Sequence, residues 1–318
     1  MKRAISVLVC LSMILATGCS RQETIRFGAA GVGGMYYPFA NAYTELMSEE
    51  EKGINWKVKS TAGSAANLRL LSDNYIELGI AQADLIDEAY YGKGTFHSGK
   101  YSGYKAVASL YPEACQIVVR KDSGIDSPDD LEGKRISIGA EESGTERNAR
   151  QILEVCGLPD ALVDTENLDY TQAADKLEEK KIDAFFCTAG VSTTVIEELT
   201  KECDIKVLSI PQNCRQKLKK AYPFYNDCVI PAGTYAGQTE DIETLSVQSV
   251  LLASNTLSDE TVQILTRFLF EHVKDIQYST SINLQLTPEE AVQGVTIPFH
   301  PGAEVYYKSK GVEVPENK

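Results

Sequence analysis

Positive charge is scarce in this 318-residue chain: 31 Lys and Arg stand against 45 Asp and Glu, a formal charge of −14. Nucleic-acid binders need a basic stripe that displaces phosphate counterions, and the densest basic group here is Lys217/Lys219/Lys220, so that class is excluded. Histidine is scarcer still, limited to His97, His272 and His300 with no H-E-x-x-H, and the cysteines show no C-x-x-C or other zinc spacing. No metal is expected. The phosphate-loop pattern G-x-x-x-x-G-K-[ST] is absent, and G-x-G-x-x-G fails because Tyr36 stands where the third glycine should be, so no nucleotide cofactor is expected either. At 43% hydrophobic and 24% charged residues the composition excludes an intrinsically disordered chain and has room for two lobes.

What the chain does have begins at its first residues. Lys2 and Arg3 precede an uncharged stretch, Ala4 to Ser20, that is short of the roughly 20 apolar residues of a membrane span and ends in small residues. That is a secretory signal over residues 1–18. Leu15-Ala16-Thr17-Gly18-Cys19 looks like a lipobox, which makes Cys19 the expected lipidation site, followed by an anchor linker over 19–24. Cleavage removes two positive charges and no negative ones, so the exported chain carries −16. Six cysteines remain past the cut, Cys115, Cys156, Cys187, Cys203, Cys214 and Cys228; outside the cytoplasm they allow 15 disulfide pairings, among which spacing does not choose.

Short apolar runs then alternate with helical patterns. Strands are expected over 24–30, 55–60, 76–82, 104–110, 116–120, 135–139, 182–187 and 205–210. Helix starts are marked by Ser127-Pro128-Asp129-Asp130, Ser143-Gly144-Thr145-Glu146 and Thr287-Pro288-Glu289-Glu290. The β-α-β-α order predicts an α/β protein with parallel sheets covered by helices. Residues 111–115, between two strands with no intervening helix, read as a first passage between lobes, and the proline-bearing region 222–234 as the return. Lobe 1 is then discontinuous, 25–112 plus 232–318, and lobe 2 is the insert 113–231. Ligands of such sheets bind beyond the carboxyl ends of the strands, here a cleft between lobes.

The loops expected at that cleft are rich in glycine and hydroxyls. Gly28 to Pro38 carries glycines at 28, 31, 33 and 34, Thr61 to Asn67 repeats the design with Ser64 as its cap, and Ser143 to Glu146 does so again. Glycine lets backbone N–H groups approach a ligand, and a helix start supplies positive potential.

These residues carry a resemblance. Gly33-Gly34-Met35-Tyr36-Tyr37-Pro38, Ser60 to Leu68, Gln82-Ala83-Asp84, Ala108 to Glu113, Ser143 to Glu146, Ile182 to Phe186, Tyr222 to Tyr225, Ile230 to Tyr235 and Pro298 to Ala303 resemble the TAXI family of TRAP-transporter solute-binding proteins, in order, over residues 25–308. The sequence departs from the family pattern with Ala29-Ala30 for a Thr-Gly pair, Ala62 for Gly, and Cys187. The resemblance implies a two-lobe periplasmic-binding-protein fold of the Venus flytrap type. It also implies a monomeric, extracytoplasmic lipoprotein that delivers a small carboxylate, a glutamate-like amino acid or a dicarboxylate such as 2-oxoglutarate, to an ion-gradient-driven permease.

A protein of charge −16 repels an anion at long range, so local donors must carry its recognition. Burying a carboxylate costs several kcal/mol. A helix N-terminus returns roughly 0.3–2 kcal/mol and a charge-assisted hydrogen bond roughly 1.5–3 kcal/mol, so two or three helix ends with hydroxyls suffice without arginine. The expected binding residues are Gly34, Met35 and Tyr36, Ser64 and Asn67, Gln82, and Ser143, Gly144 and Thr145 across the cleft; Glu113 at the crossover either binds an ammonium, orders a donor network or fixes the hinge. Closure is expected when ligand completes contacts to both lobes. An enzyme is the rival reading, but Ser64, Ser143 and Cys187 come with no recognisable base and no G-x-S-x-G elbow. A surface adhesin leaves the glycine-hydroxyl helix starts unexplained.

Overall fold

The computed structural model describes residues 23–280, 282 and 284–316. The signal and lipidation site expected at residues 1–19 lie outside them. In chain order the elements are β1 (Glu23–Gly28), α1 (Tyr36–Glu50), β2 (Ile54–Lys59), α2 (Ser64–Ser72), β3 (Leu78–Gln82), α3 (Ala83–Tyr91), β4 (Tyr104–Arg120) and β5 (Arg135–Ser137). There follow α4 (Gly144–Val155), β6 (Asp164–Glu166), α5 (Tyr170–Glu178), β7 (Ala184–Ala189), α6 (Thr194–Glu202), β8 (Ile205–Leu208), α7 (Gln212–Ala221), β9 (Asn226–Ile230), β10 (Ile242–Ser254), α8 (Asp259–Glu271), α9 (Val273–Thr280) and α10 (Pro301–Ser309). Among the described residues no helix is long and apolar enough to cross a membrane.

Local chemistry explains most of these boundaries. In α1 the buried Tyr36, Phe39, Ala40, Tyr43 and Met47 recur at helical spacing and face the sheet. Phe27, Phe39, Trp56 and Phe268 gather around Tyr43 with ring centroids 5.6–6.2 Å from it, apart from Phe27–Phe39 at 6.5 Å, and each such pair contributes about 0.5–1.5 kcal/mol beyond its buried area. Every residue of β3 is buried, as befits a strand covered on both faces. Two start signals do not mature into α-helices. Ser127 and Asp130 form a capping box on a single 3₁₀ turn, Pro128–Leu131. Thr287 and Glu290 cap each other, but Gly294 at φ 71° and Pro298 follow too soon for a helix to propagate.

The strand order is β2-β1-β3-β10-β4-β7-β5-β6, with β8 also on β4 and β9 on β10. The β1, β2 and β3 pairings are parallel, as are those of β5 with β6 and β7, but β4 and β10 run antiparallel to their neighbours. The sheets are therefore mixed rather than purely parallel. Nor are 104–110 and 116–120 separate strands: β4 is continuous, and Pro112 within it is exposed and sits at an irregularity in its pairing with β10, where no ladder donor is required of it. The first half of β10 pairs with β9 and the second with β3. Leu245 and Val247 belong to the hydrophobic cluster of Cys115, Ile117, Ile136, Ile152, Phe186 and Leu218. The first half of β10 therefore packs in that cluster and its second half pairs with β3, beyond the region 222–234. A two-lobe periplasmic-binding-protein fold results, its halves joined by two long strands.

Candidate functional site

The carboxyl ends of the parallel strands in both halves point at one cavity of about 70 Å³. Its walls come from the turns after β1 (Ala30, Gly31, Gly34, Met35, Tyr36), β2 (Thr61 to Ser64) and β3 (Gln82), from Glu113 at the centre of β4, and from the other lobe's Ala140, Ser143 to Thr145, Asp169, Tyr170, Thr188 and Ala189. No Lys or Arg lines it.

Nine of the ten residues nominated from sequence line this cavity; Asn67 does not. Asn67 is fully buried, donates to the carbonyls of Gly28 (3.2 Å) and Ile80 (2.9 Å), and accepts from the Thr61 hydroxyl (2.7 Å). It ties the first, second and third strand ends together. Replacing it with Ala is expected to lower the unfolding free energy by about 2 kcal/mol, because buried backbone acceptors lose their partner; a denaturant melt measures this. Ser64 is not a cap either. Gly63, at φ 131°, holds the N-cap position, and the Ser64 hydroxyl accepts from the Gln82 amide at 3.2 Å.

The lobe-1 wall is one hydrogen-bonded network. Ser64 donates to the Tyr36 oxygen, Tyr36 donates to Glu113 Oε2 at 2.8 Å, and the Gln82 amide reaches Glu113. Glu113 is 2% exposed, and burial pushes its carboxyl up to about 8, against the opposing pull of the Tyr36 and Gln82 hydrogen bonds. At neutral pH it is an uncharged acid. Nearby Asp84 is driven up to about 6, again by burial first, with its own helix's amides and Arg147 pulling the other way. Gln82 Oε1, at the cavity, has no hydrogen-bond partner among the described residues.

The lobe-2 wall is a second closed set. Thr145 Oγ1 accepts from the Thr188 amide (3.2 Å) and lies 2.5 Å from the Tyr170 hydroxyl, which donates to the Thr188 carbonyl (3.0 Å). The Thr145 hydroxyl therefore shapes the wall, whereas Ser143, whose oxygen accepts from the Glu146 amide at 3.0 Å to cap α4, keeps its own proton to donate. Tyr170 and Thr188 were missed by sequence reasoning. Asp169, which caps α5 by accepting from the Gln172 amide at 2.8 Å, was the available signal for a helix starting at Tyr170.

Helix starts of α1, α4 and α5 line the cavity, and their first-turn amides have no intrahelical partner. The start of α2 serves otherwise: the amides of Ala65 and Ala66 donate to the Glu142 carbonyl of the opposite lobe, at 3.1 and 3.3 Å. Glu142 takes a left-handed φ of 66° to present that carbonyl, and its side chain pairs with Arg69. Arg147 pairs with Glu88 across the same cleft at 2.5 Å. The two lobes are in contact, so the structure is that of the closed clamshell. Ala30, in the turn after β1, also has a left-handed φ of 53°, a conformation that favours glycine. Among the described residues no group of three potential ligands could hold a metal ion.

Comparison with solved structures agrees with this architecture. A protein from Bordetella bronchiseptica RB50 is 16% identical with a TM-score of 0.56, over 93% of this chain and 91% of that one. A periplasmic transporter is 13% identical with a TM-score of 0.55, over 90% and 92%. An ancestral arginine-binding protein bound to arginine is 15% identical with a TM-score of 0.52, over 81% and 97%. At such identities the likeness is one of fold. The model of the NMT1-like family matches residues 27–311, and the chain belongs to that family.

Proposed function

We propose that this chain is an extracytoplasmic solute-binding protein, not an enzyme, that encloses a small carboxylate and hands it to an ion-gradient-driven TRAP-type permease. The carrying observation is the cavity between the lobes, where the starts of α1, α4 and α5 converge with no Lys or Arg among the lining residues. Backbone amides at Tyr36, at Gly144 and Thr145, and at Tyr170 act with the Ser143 hydroxyl on the anionic group. Glu113, uncharged, contributes no repulsion, and Gln82 Oε1 accepts from a donor elsewhere on the solute. Cys19 supplies the lipid anchor, and the protein works as a monomer. The TRAP assignment and the preference for a glutamate-like amino acid or dicarboxylate rest on the resemblance noted above.

A thermal-shift panel tests this reading with amino acids, 2-oxo acids, dicarboxylates, uncharged solutes and arginine, the last because a protein of this fold holds it. A ligand at 100 times its Kd stabilises by about 2.7 kcal/mol. Carboxylates of net negative or zero charge are expected to raise the melting temperature; stabilisation by uncharged solutes or arginine alone would overturn the assignment.

A further inference from the structure

The six cysteines of the described residues are all free thiols, and their surroundings sort them. Cys115 accepts from the Thr188 hydroxyl at 3.8 Å, Cys187 contacts Tyr170 and Thr193, and Cys228 contacts Ser246. Cys203 ends α6 near Glu178. Cys156 and Cys214 instead have each other. Cys156 is the C-cap of α4, and Cys214 lies in the first turn of α7, which packs on α4. Cys214 is buried in the second hydrophobic cluster, Cys156 packs against that cluster while keeping partial exposure, and the two thiols lie within hydrogen-bonding contact.

We propose that Cys156 and Cys214 form a redox pair, closed by an external disulfide into a bond that ties the C-terminal end of α4 to α7. The better exposed Cys156 reacts first. Its thiolate attacks one sulfur of a small external disulfide such as oxidised glutathione, giving a mixed disulfide and one departing thiolate. The Cys214 thiolate then attacks Cys156 Sγ, the S–S bond forms, and the second glutathione leaves. Two electrons pass from the two cysteines to the glutathione disulfide, and the two cysteine protons end on the two glutathione thiols. Of the fifteen pairings open to six cysteines, this one joins thiols that already touch. It also has a bearing on the cleft, because α4 begins with Gly144 and Thr145 at the cavity wall and ends at Cys156. Pinning that far end holds the helix whose start faces the solute.

The test begins with the full chain, reduced, desalted and incubated with oxidised glutathione at pH 8.5. Burial first, then the Cys214 thiol and the Asp129 charge, hold the Cys156 thiol well above its ordinary range with only Lys217 opposing them, so the alkaline pH serves to raise a small thiolate fraction. After alkylation in denaturant and tryptic digestion, the peptides 151–176 and 207–215 are expected to run as one species that reductant separates. Oxidation is expected to raise the melting temperature of the parent by several degrees, since the link closes a long loop, and to leave a Cys156→Ser variant unmoved. Should that variant fold poorly, Cys214→Ala replaces it. Recovery of the two peptides apart, each alkylated or glutathionylated, or joined to other cysteines, would overturn the proposal.

Discussion

Replacing Glu113 with Gln is expected to make the protein more stable above pH 8 and nearly unchanged at pH 5. Glu113 ionises near 8 in the folded chain against an ordinary 4.5, the cause being burial at the centre of β4. Between those values the folded state holds a proton that the unfolded state has released, so stability falls as pH rises through the window and the loss is complete above 8. Each pH unit of displacement is 1.36 kcal/mol, so the full penalty is about 5 kcal/mol as an upper figure. Glutamine keeps an acceptor for the Tyr36 hydroxyl and carries no charge to desolvate. Asp84, held near 6, adds a term of the same sign between 3.8 and 6 in both proteins and cancels in the difference. Melts of parent and variant at pH 5.0, 7.0 and 8.5 read the effect, and parallel pH profiles would show that Glu113 is ionised throughout. The same proton governs binding. An anionic solute meets a carboxylate once Glu113 ionises, so its affinity is expected to fall above pH 8 in the parent and to stay level in Glu113→Gln.

Gly144→Ala is expected to weaken solute binding at least about tenfold, equivalent to roughly 1.4 kcal/mol. In the closed structure a Cβ at Gly144 would lie 2.3 Å from Cδ and Oε1 of Gln82. Gln82 is 2% exposed and engaged with Glu113, so its displacement disrupts the lobe-1 network. The clash exists only when the lobes meet; in an open form the Cβ is clear of Gln82, and the first position of α4 accepts alanine. The signature is therefore lost affinity without lost stability of the ligand-free protein. Titration calorimetry with the strongest carboxylate of the panel measures it. In a Gln82→Ala background, where the obstructing side chain is gone, Gly144→Ala should cost much less. Parental affinity in Gly144→Ala would mean that solute binds without the closed contact.

The strand-turn-helix units around the cavity were legible because each is written in local chemistry. Gly31 to Tyr36 and Ser143 to Glu146 need only a flexible turn, a cap and an apolar helical face, all of which are short-range. Asn67 lies outside the cavity lining for a reason of the same scale. An amide at that position of a helix points equally well, as far as sequence shows, at a solute or at the carbonyls of Gly28 and Ile80, and only the third strand end decides. Strand β10, Ile242–Ser254, is not legible in the sequence. Its alternation is interrupted where it changes lobes, and its partners β9, β4 and β3 are set by pairings across more than 130 residues in the last two cases.

By itself the sequence determined the composition of the helix starts, the absence of a cationic ligand-binding side chain among the nominated residues, and the excess of negative charge that any anion must overcome. Tertiary structure alone decided which polar groups are spent on the protein and which remain for a solute. Glu113 is an ordinary glutamate in sequence, and closure of both lobes over β4 strips it of water and leaves it uncharged at neutral pH. The start of α2 is an ordinary helix N-terminus until Glu142, from the other lobe, takes its amides. Both outcomes come from long-range packing, which sets desolvation and hydrogen-bond partners that no local window of residues contains.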